Sequence, residues 1–273
     1  MFRIVSGLLC AATLLVIGTE RPRAQGDLHA PFDRLLDTYV RDGYVYYRAL
    51  RQERAALDRY IASLNSAGKE LAGWSSEARQ AFWINAYNAL VLRTVINAYP
   101  ITGKSPDFPP SSIRQIPGAF ERTRHTMAGQ SQTLDEIEQM LLSEFGDARL
   151  VLALGRGAIG SPRLKSEAYA ADRVDAQLTS AVKECATRAA CVELDRGLNQ
   201  LKVTPLIGWR EAHFVKTFGG DAARWADRTP IERAVMTMAY PHLYQREQEL
   251  LMSTRLQMVY GEFNWQLNDL TGR

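Results

Sequence analysis

The segment Ala81-Phe82-Trp83-Ile84-Asn85-Ala86-Tyr87-Asn88-Ala89-Leu90-Val91-Leu92 constrains this chain more than any other. It is apolar nearly all round, so a helix built from it has no face to offer water and must run through the centre of a domain. Ser75-Ser76-Glu77 precedes it and supplies an N-cap and a first-turn acid. Asn85 and Asn88 are the strongly polar side chains in the run. Three positions apart, they share a face, and buried amides have to find partners. Two roles are open to them: a tie to neighbouring backbone, which we take as the main one, or contact with a bound ligand.

Around that helix the pattern is mixed. Phe32, Leu35, Leu36, Tyr39 and Val40 repeat at helical spacing, as do Leu57, Tyr60, Ile61 and Leu64, with an extended aromatic patch from Tyr44 to Tyr47 between them. Tyr99 to Gly118 holds five prolines and is expected to be irregular, either a lid or a plain surface connection. Phe120 to Met127 and the residues after Gly129 suggest a hairpin that carries His125. Thr133-Leu134-Asp135-Glu136 is a capping box, opening a helix whose core stripe is Leu134, Ile137 and Leu141. Asp135, Glu138, Gln139 and Leu142 lie on the adjacent face.

Leu150 to Leu154 is a short apolar run that reads as a buried strand, breaking at Gly155, Gly157 and Gly160 into a loop with Arg156 and Ser161. A helix follows from an N-cap at Asp172, with Val174, Leu178, Ala181, Val182 and Cys185 on one face. Two strands, Cys191–Leu194 and Leu198–Val203, come next. Further helices are expected around Trp209 to Phe218 with His213, from the cap Thr229-Pro230-Ile231-Glu232, and around Leu250. Leu256 to Tyr260 closes the pattern as an extended segment. The expected fold is α+β: one helix-rich domain over residues 25–273, with a small mixed or antiparallel sheet around a buried central helix.

Met1-Phe2-Arg3 followed by an apolar stretch to Gly18 reads as a signal peptide over residues 1–24, or as an uncleaved N-terminal anchor. Its removal takes three arginines and one glutamate, so the net charge falls from +3 to +1. The basic balance is mostly the leader, and nothing clusters as in a nucleic-acid binder. The expected location is periplasmic or secreted, or membrane-anchored if the leader is retained. In an exported chain Cys185 and Cys191 can form a disulfide across a short loop. The four histidines, His29, His125, His213 and His242, show no metal-ligand spacing. No metal and no cofactor is expected.

Phe82 to Leu90, Leu134-Asp135-Glu136-Ile137-Glu138, Asp147-Ala148-Arg149, the Gly-rich stretch through Pro162 and the closing Asn264-Trp265-Gln266-Leu267-Asn268 together resemble one family, the domain of unknown function 547. The resemblance runs from about Tyr39 to Asn268. Members of that family usually read Cys-Gly-x-x-Ser-Cys-Pro after the buried segment, and carry a histidine directly after the Ile-Glu of the capped helix. This implies a Cys/His site in which a base raises the thiolate fraction. Here those positions hold Arg156, Gly160, Ser161 and Gln139. Glutamine accepts no proton at neutral pH and arginine is neither nucleophile nor base, so thiol chemistry is not available at this place.

Three readings follow. The first is a non-catalytic binding or scaffold protein that has lost the thiol site, with a small anionic ligand at Arg156 and Gly157 and with Gln139, Asn85, Asn88 and Arg149 around it. Set against that ligand is an ion pair from Arg156 to Glu138 or Asp135 that fills the vacated space. The second is a hydrolase or transferase in which Ser161 is the nucleophile, His125 or His213 the base, and Glu138 or Asp135 orients that base. The third is an interaction module of the cell envelope, which exposed aromatics from Tyr44 to Tyr47 or a retained leader would support.

Overall fold

The computed structural model describes residues 23–220, 223–253 and 255–271. The leader read over residues 1–24 lies outside them but for its last two residues. The chain enters through helix α1 (Arg23–Tyr39), a two-residue pairing of β1 (Val40–Arg41) with β2 (Tyr44–Val45), α2 (Tyr47–Gln52) and α3 (Ala55–Ala67). The apolar segment lies inside α4 (Ser76–Ala98), where Ser75 Oγ accepts from Ala78 N. Every residue from Ala81 to Leu92 is buried. Helices α1, α2 and α3 pack against α4.

The proline-rich segment is irregular apart from a 3₁₀ turn at Ile113–Gln115. A hairpin of β3 (His125–Met127) and β4 (Gln130–Gln132) then turns at Ala128-Gly129. Helix α5 (Leu134–Phe145) opens on the expected capping box, with Thr133 and Glu136 bonding reciprocally. After α6 (Val174–Thr187) come β5 (Val192–Asp195) and β6 (Gln200–Val203), then α7 (Pro205–Trp209), α8 (Glu211–Phe218), α9 (Pro230–Ala239), α10 (Gln245–Ser253) and β7 (Gln257–Tyr260). Strand β6 pairs antiparallel with β5 and parallel with β7. The fold is a helix-rich α+β domain. Among the described residues its strands form three small separate sheets rather than one, and the largest is mixed.

Several expectations need correction. Leu150 to Leu154 is buried but is no strand. Ala148–Leu152 is a 3₁₀ helix, N-capped by the Asp147 carboxylate accepting from Arg149 N. Local bonds such as Leu150 N to Asp147 O at 3.2 Å and Ala153 N to Leu150 O at 3.0 Å satisfy its backbone, where a strand would need a neighbouring edge. Helix α6 starts after Arg173 with no side-chain cap, so Asp172 is not its N-cap. The segment Trp209–Phe218 is divided at Arg210 between α7 and α8. The aromatic patch is divided: Val45 and Tyr47 are fully buried, Tyr44 is half-buried and Tyr46 is exposed, and Tyr47 already belongs to α2.

The chain beyond β7 returns to the Gly-rich loop. Ile159 N donates to Gln266 O and Gly160 N to Asn264 O, both at 2.8 Å. Asn268 ties this segment to the entry of the chain: its Nδ2 donates to Gly43 O at 2.7 Å, and its Oδ1 accepts from Tyr47 Oη at 2.8 Å. A disulfide joins Cys185 near the end of α6 to Cys191 just before β5.

Candidate functional site

Helix α4 holds two backbone segments through buried amides, the start of the Gly-rich loop through Asn88 and Tyr169 through Asn85. Asn88 Nδ2 donates to Ala153 O at 3.1 Å and its Oδ1 accepts from Gly155 N at 2.8 Å. One turn earlier, Asn85 Nδ2 donates to Tyr169 O at 2.8 Å and its Oδ1 accepts from Tyr169 N at 2.9 Å. Each amide thus brackets a backbone segment with a donor and an acceptor. Their polar atoms are occupied by backbone, which leaves the ligand-contact role without support.

The loop turns inward at Gly157, whose φ of +63° is the left-handed region that favours glycine. The residue before it, Arg156, is driven into the interior beside α5. Its Nη2 lies 2.7 Å from Glu138 Oε2, and both side chains are 5% exposed or less. Glu138 Oε1 accepts from Arg210 Nε at 2.9 Å, from the junction of α7 and α8. Arg156 Nη1 also donates to Leu154 O at 3.3 Å. Burial opposes the charge on Arg156, and Glu138 more than offsets it, so the guanidinium titrates above its ordinary range. The place where an anion was expected is filled from within the chain. A guanidinium already committed to a buried carboxylate is no longer a fork for a small ligand.

Ser161 is buried, and its Oγ accepts from Arg156 N at 3.0 Å. His125 sits on β3, where its Nδ1 meets Arg93 Nη2 at 3.3 Å. Burial, with the Arg93 charge adding to it, lowers its pKa to about 4. No hydrogen bond links Ser161, His125 and Glu138 among the described residues, and both oxygens of Glu138 face arginines. The structure therefore does not assemble the Ser–His–acid arrangement. Arg149 is also structural in its contacts: Nε bonds Asp147 Oδ2 at 2.9 Å and Nη2 bonds Asp175 Oδ1 at 2.8 Å, pinning the 3₁₀ helix to α6.

Gln139 is exposed and shares with Trp209, Arg210 and His213 a groove of about 350 Å³. Asp135, half-buried on the same helix, has its carboxyl raised by burial and by the charges of Glu121 and Glu138. Tyr87 on α4 points a fully buried hydroxyl toward this cluster without a partner among the described residues, and burial pushes its pKa up. An aromatic group borders the region. Trp265 stacks with Trp209 at 6.1 Å, Phe263 lies 4.4 Å from Trp265, and the Arg114 guanidinium lies 4.7 Å over Trp265. Among the described residues no group of three His, Cys, Asp or Glu side chains could hold a metal ion.

Sequence reasoning missed Arg210 and Tyr87. No local pattern marks Arg210, which reaches Glu138 from a distant element. Tyr87 lies in the apolar run, where its ring counted as core.

A family model described as "Protein of unknown function, DUF547" matches residues 71–184. That span holds α4, the capped α5, the Gly-rich loop and most of α6; the closing Asn264–Asn268 motif lies outside it. No curated protein and no solved structure matches the chain. Over residues 71–184, which carry α4 with Asn85 and Asn88, the capped α5 and the Gly-rich loop, this chain is similar to the DUF547 family.

Proposed function

We propose that this protein is a non-catalytic binding or scaffold member of the DUF547 family, working outside the cytoplasm. One observation carries the reading: Glu138, the buried acid nearest the Gly-rich loop, is bonded through both oxygens to Arg156 and Arg210. With both oxygens turned to guanidiniums, this carboxylate orients no histidine beside Ser161. Arg156, Ser161 and Gln139 stand where the family resemblance expects two thiols and a histidine, and none of them restores a nucleophile with a base beside it. The Cys185–Cys191 disulfide supports an oxidising compartment, as does the leader read at the N-terminus.

The test is to treat the purified chain and its Ser161→Ala variant with a fluorophosphonate probe and a panel of activated esters. The expected result is no labelling and no turnover above the variant. Labelling or ester hydrolysis that disappears in Ser161→Ala would overturn the reading.

A further inference from the structure

Beside the sealed ion pair, on the outer side of the Gly-rich loop, the charges do not balance. Arg163, Lys165 and Arg188 converge on a single carboxylate, Glu184 of α6. Arg163 Nε and Arg188 Nη1 each lie 3.5 Å from Glu184 Oε1, while Lys165 Nζ bonds Glu184 Oε2. Asp42 approaches Arg163 at 4.0 Å, but its side chain is 87% exposed, so water screens that contact. Three cations against one effective anion leave a surplus of about two positive charges.

That surplus surrounds open space. One crevice, of about 20 Å³, is bordered by Ser161, Arg163, Lys165, Glu184, Arg188 and the disulfide. A second, of about 50 Å³, shares Ser161, Arg163 and Arg188 and opens toward Gly43 and Asn268. A single water needs about 10 to 15 Å³ of such space. The two crevices border the same Ser161, Arg163 and Arg188, and neither is large enough for a whole metabolite. Ser161 is 5% exposed and lines both. Its oxygen already accepts from Arg156 N, and its own O–H proton has no acceptor among the described residues. A buried hydroxyl proton, two guanidinium forks and an ammonium around a small void are the donor set for a tetrahedral oxyanion. Arg188 is held below its ordinary range by burial and then by Arg163, the cost of packing like charges with too little opposite charge nearby.

We infer that this crevice binds a compact dianion, a phosphate or sulfate group, with Arg163, Arg188 and Lys165 supplying the charge and Ser161 a hydrogen-bond donor. The two sources share tetrahedral geometry and charge; the titration below separates them. The inference gives the binding reading a ligand class without depending on it. Ser161-dependent turnover would overturn the non-catalytic reading and leave the anion titration untouched.

The test is calorimetric titration of the intact chain with inorganic phosphate, sulfate and acetate at constant ionic strength. Saturable binding of a tetrahedral anion is expected, with acetate weaker, and the stronger of phosphate and sulfate identifies the group. Arg163→Gln or Lys165→Met should weaken that binding about tenfold or more, the loss of one charge-assisted bond. Glu184→Gln, which removes the competing carboxylate, should tighten it. Variants that bind as the parent does, a Glu184→Gln chain that binds more weakly, or no saturable binding of either tetrahedral anion would overturn the inference.

Discussion

Glu138 decides the chemistry of the interior because it sits 2% exposed between two arginines. A buried pair is weak support for stability as a whole, yet breaking it from one side is expensive. Glu138→Gln leaves the Arg156 guanidinium buried without a counter-charge and is expected to cost about 3 to 5 kcal/mol, read as a lower urea midpoint. The double change Glu138→Leu with Arg156→Met should cost less than the single one, since it strands no fully buried charge and Arg210, a quarter exposed, can turn to water. A double variant as damaged as Glu138→Gln would contradict this account. His125 makes a second residue-scale prediction. Its pKa falls from 6.5 to about 4 on folding, so protons bind the unfolded chain more readily. Above pH 6.5 neither state carries the proton and nothing is lost. As pH falls from 6.5 toward 4 the folded state loses stability, on the order of 3 kcal/mol in full. His29, also lowered to about 4 by burial, adds a slope of the same sign. Thermal melting between pH 6.5 and 5 should therefore decline less steeply in His125→Gln than in the parent.

At the scale of elements, the closing segment lies hard against the Gly-rich loop at Gly160. A Cβ there would stand 2.7 Å from Asn264 N and 3.1 Å from Asn264 O, and backbone on both sides leaves no flexible group to yield. Gly160→Ala should cost about 1 to 3 kcal/mol by overpacking and speed amide exchange at Ile159, whose N–H is bonded to Gln266. Exchange at Ile159 unchanged from the parent would show that the segment does not depend on this contact. Such pairings mark the boundary of what was legible from sequence. The buried helix, the Thr133 and Thr229 capping boxes, the β3–β4 hairpin and the β5–β6 pair were readable because each is written in local spacing and turn chemistry. Leu150 to Leu154 was misread because a five-residue apolar run does not distinguish a strand from a buried helical turn. In the site, the pairing of Arg156 with Glu138 was one of the alternatives open from residue type. The second arm, from Arg210, was not, because no pattern links positions so far apart in the chain.

For the molecule as a whole, no helix among the described residues is long and apolar enough to cross a membrane, and one continuous hydrophobic cluster joins α1 to the Leu267 region. Long-range ties do much of the joining: Asn268 to Gly43 and Tyr47, Tyr99 to Asp269, and β7 alongside β6. The return of residues 264–268 over the Gly-rich loop has a consequence for how the chain is made. The ribosome delivers Ile159 and Gly160 long before Gln266 and Asn264, the residues that accept their hydrogen bonds. Through that interval the loop is a half-finished edge, and the buried arginine behind it has only part of its covering. Contacts between positions this far apart form slowly, since a long loop must close before they yield any energy. Until those late-made residues arrive, the backbone donors of Ile159 and Gly160 lack the acceptors that the finished fold gives them.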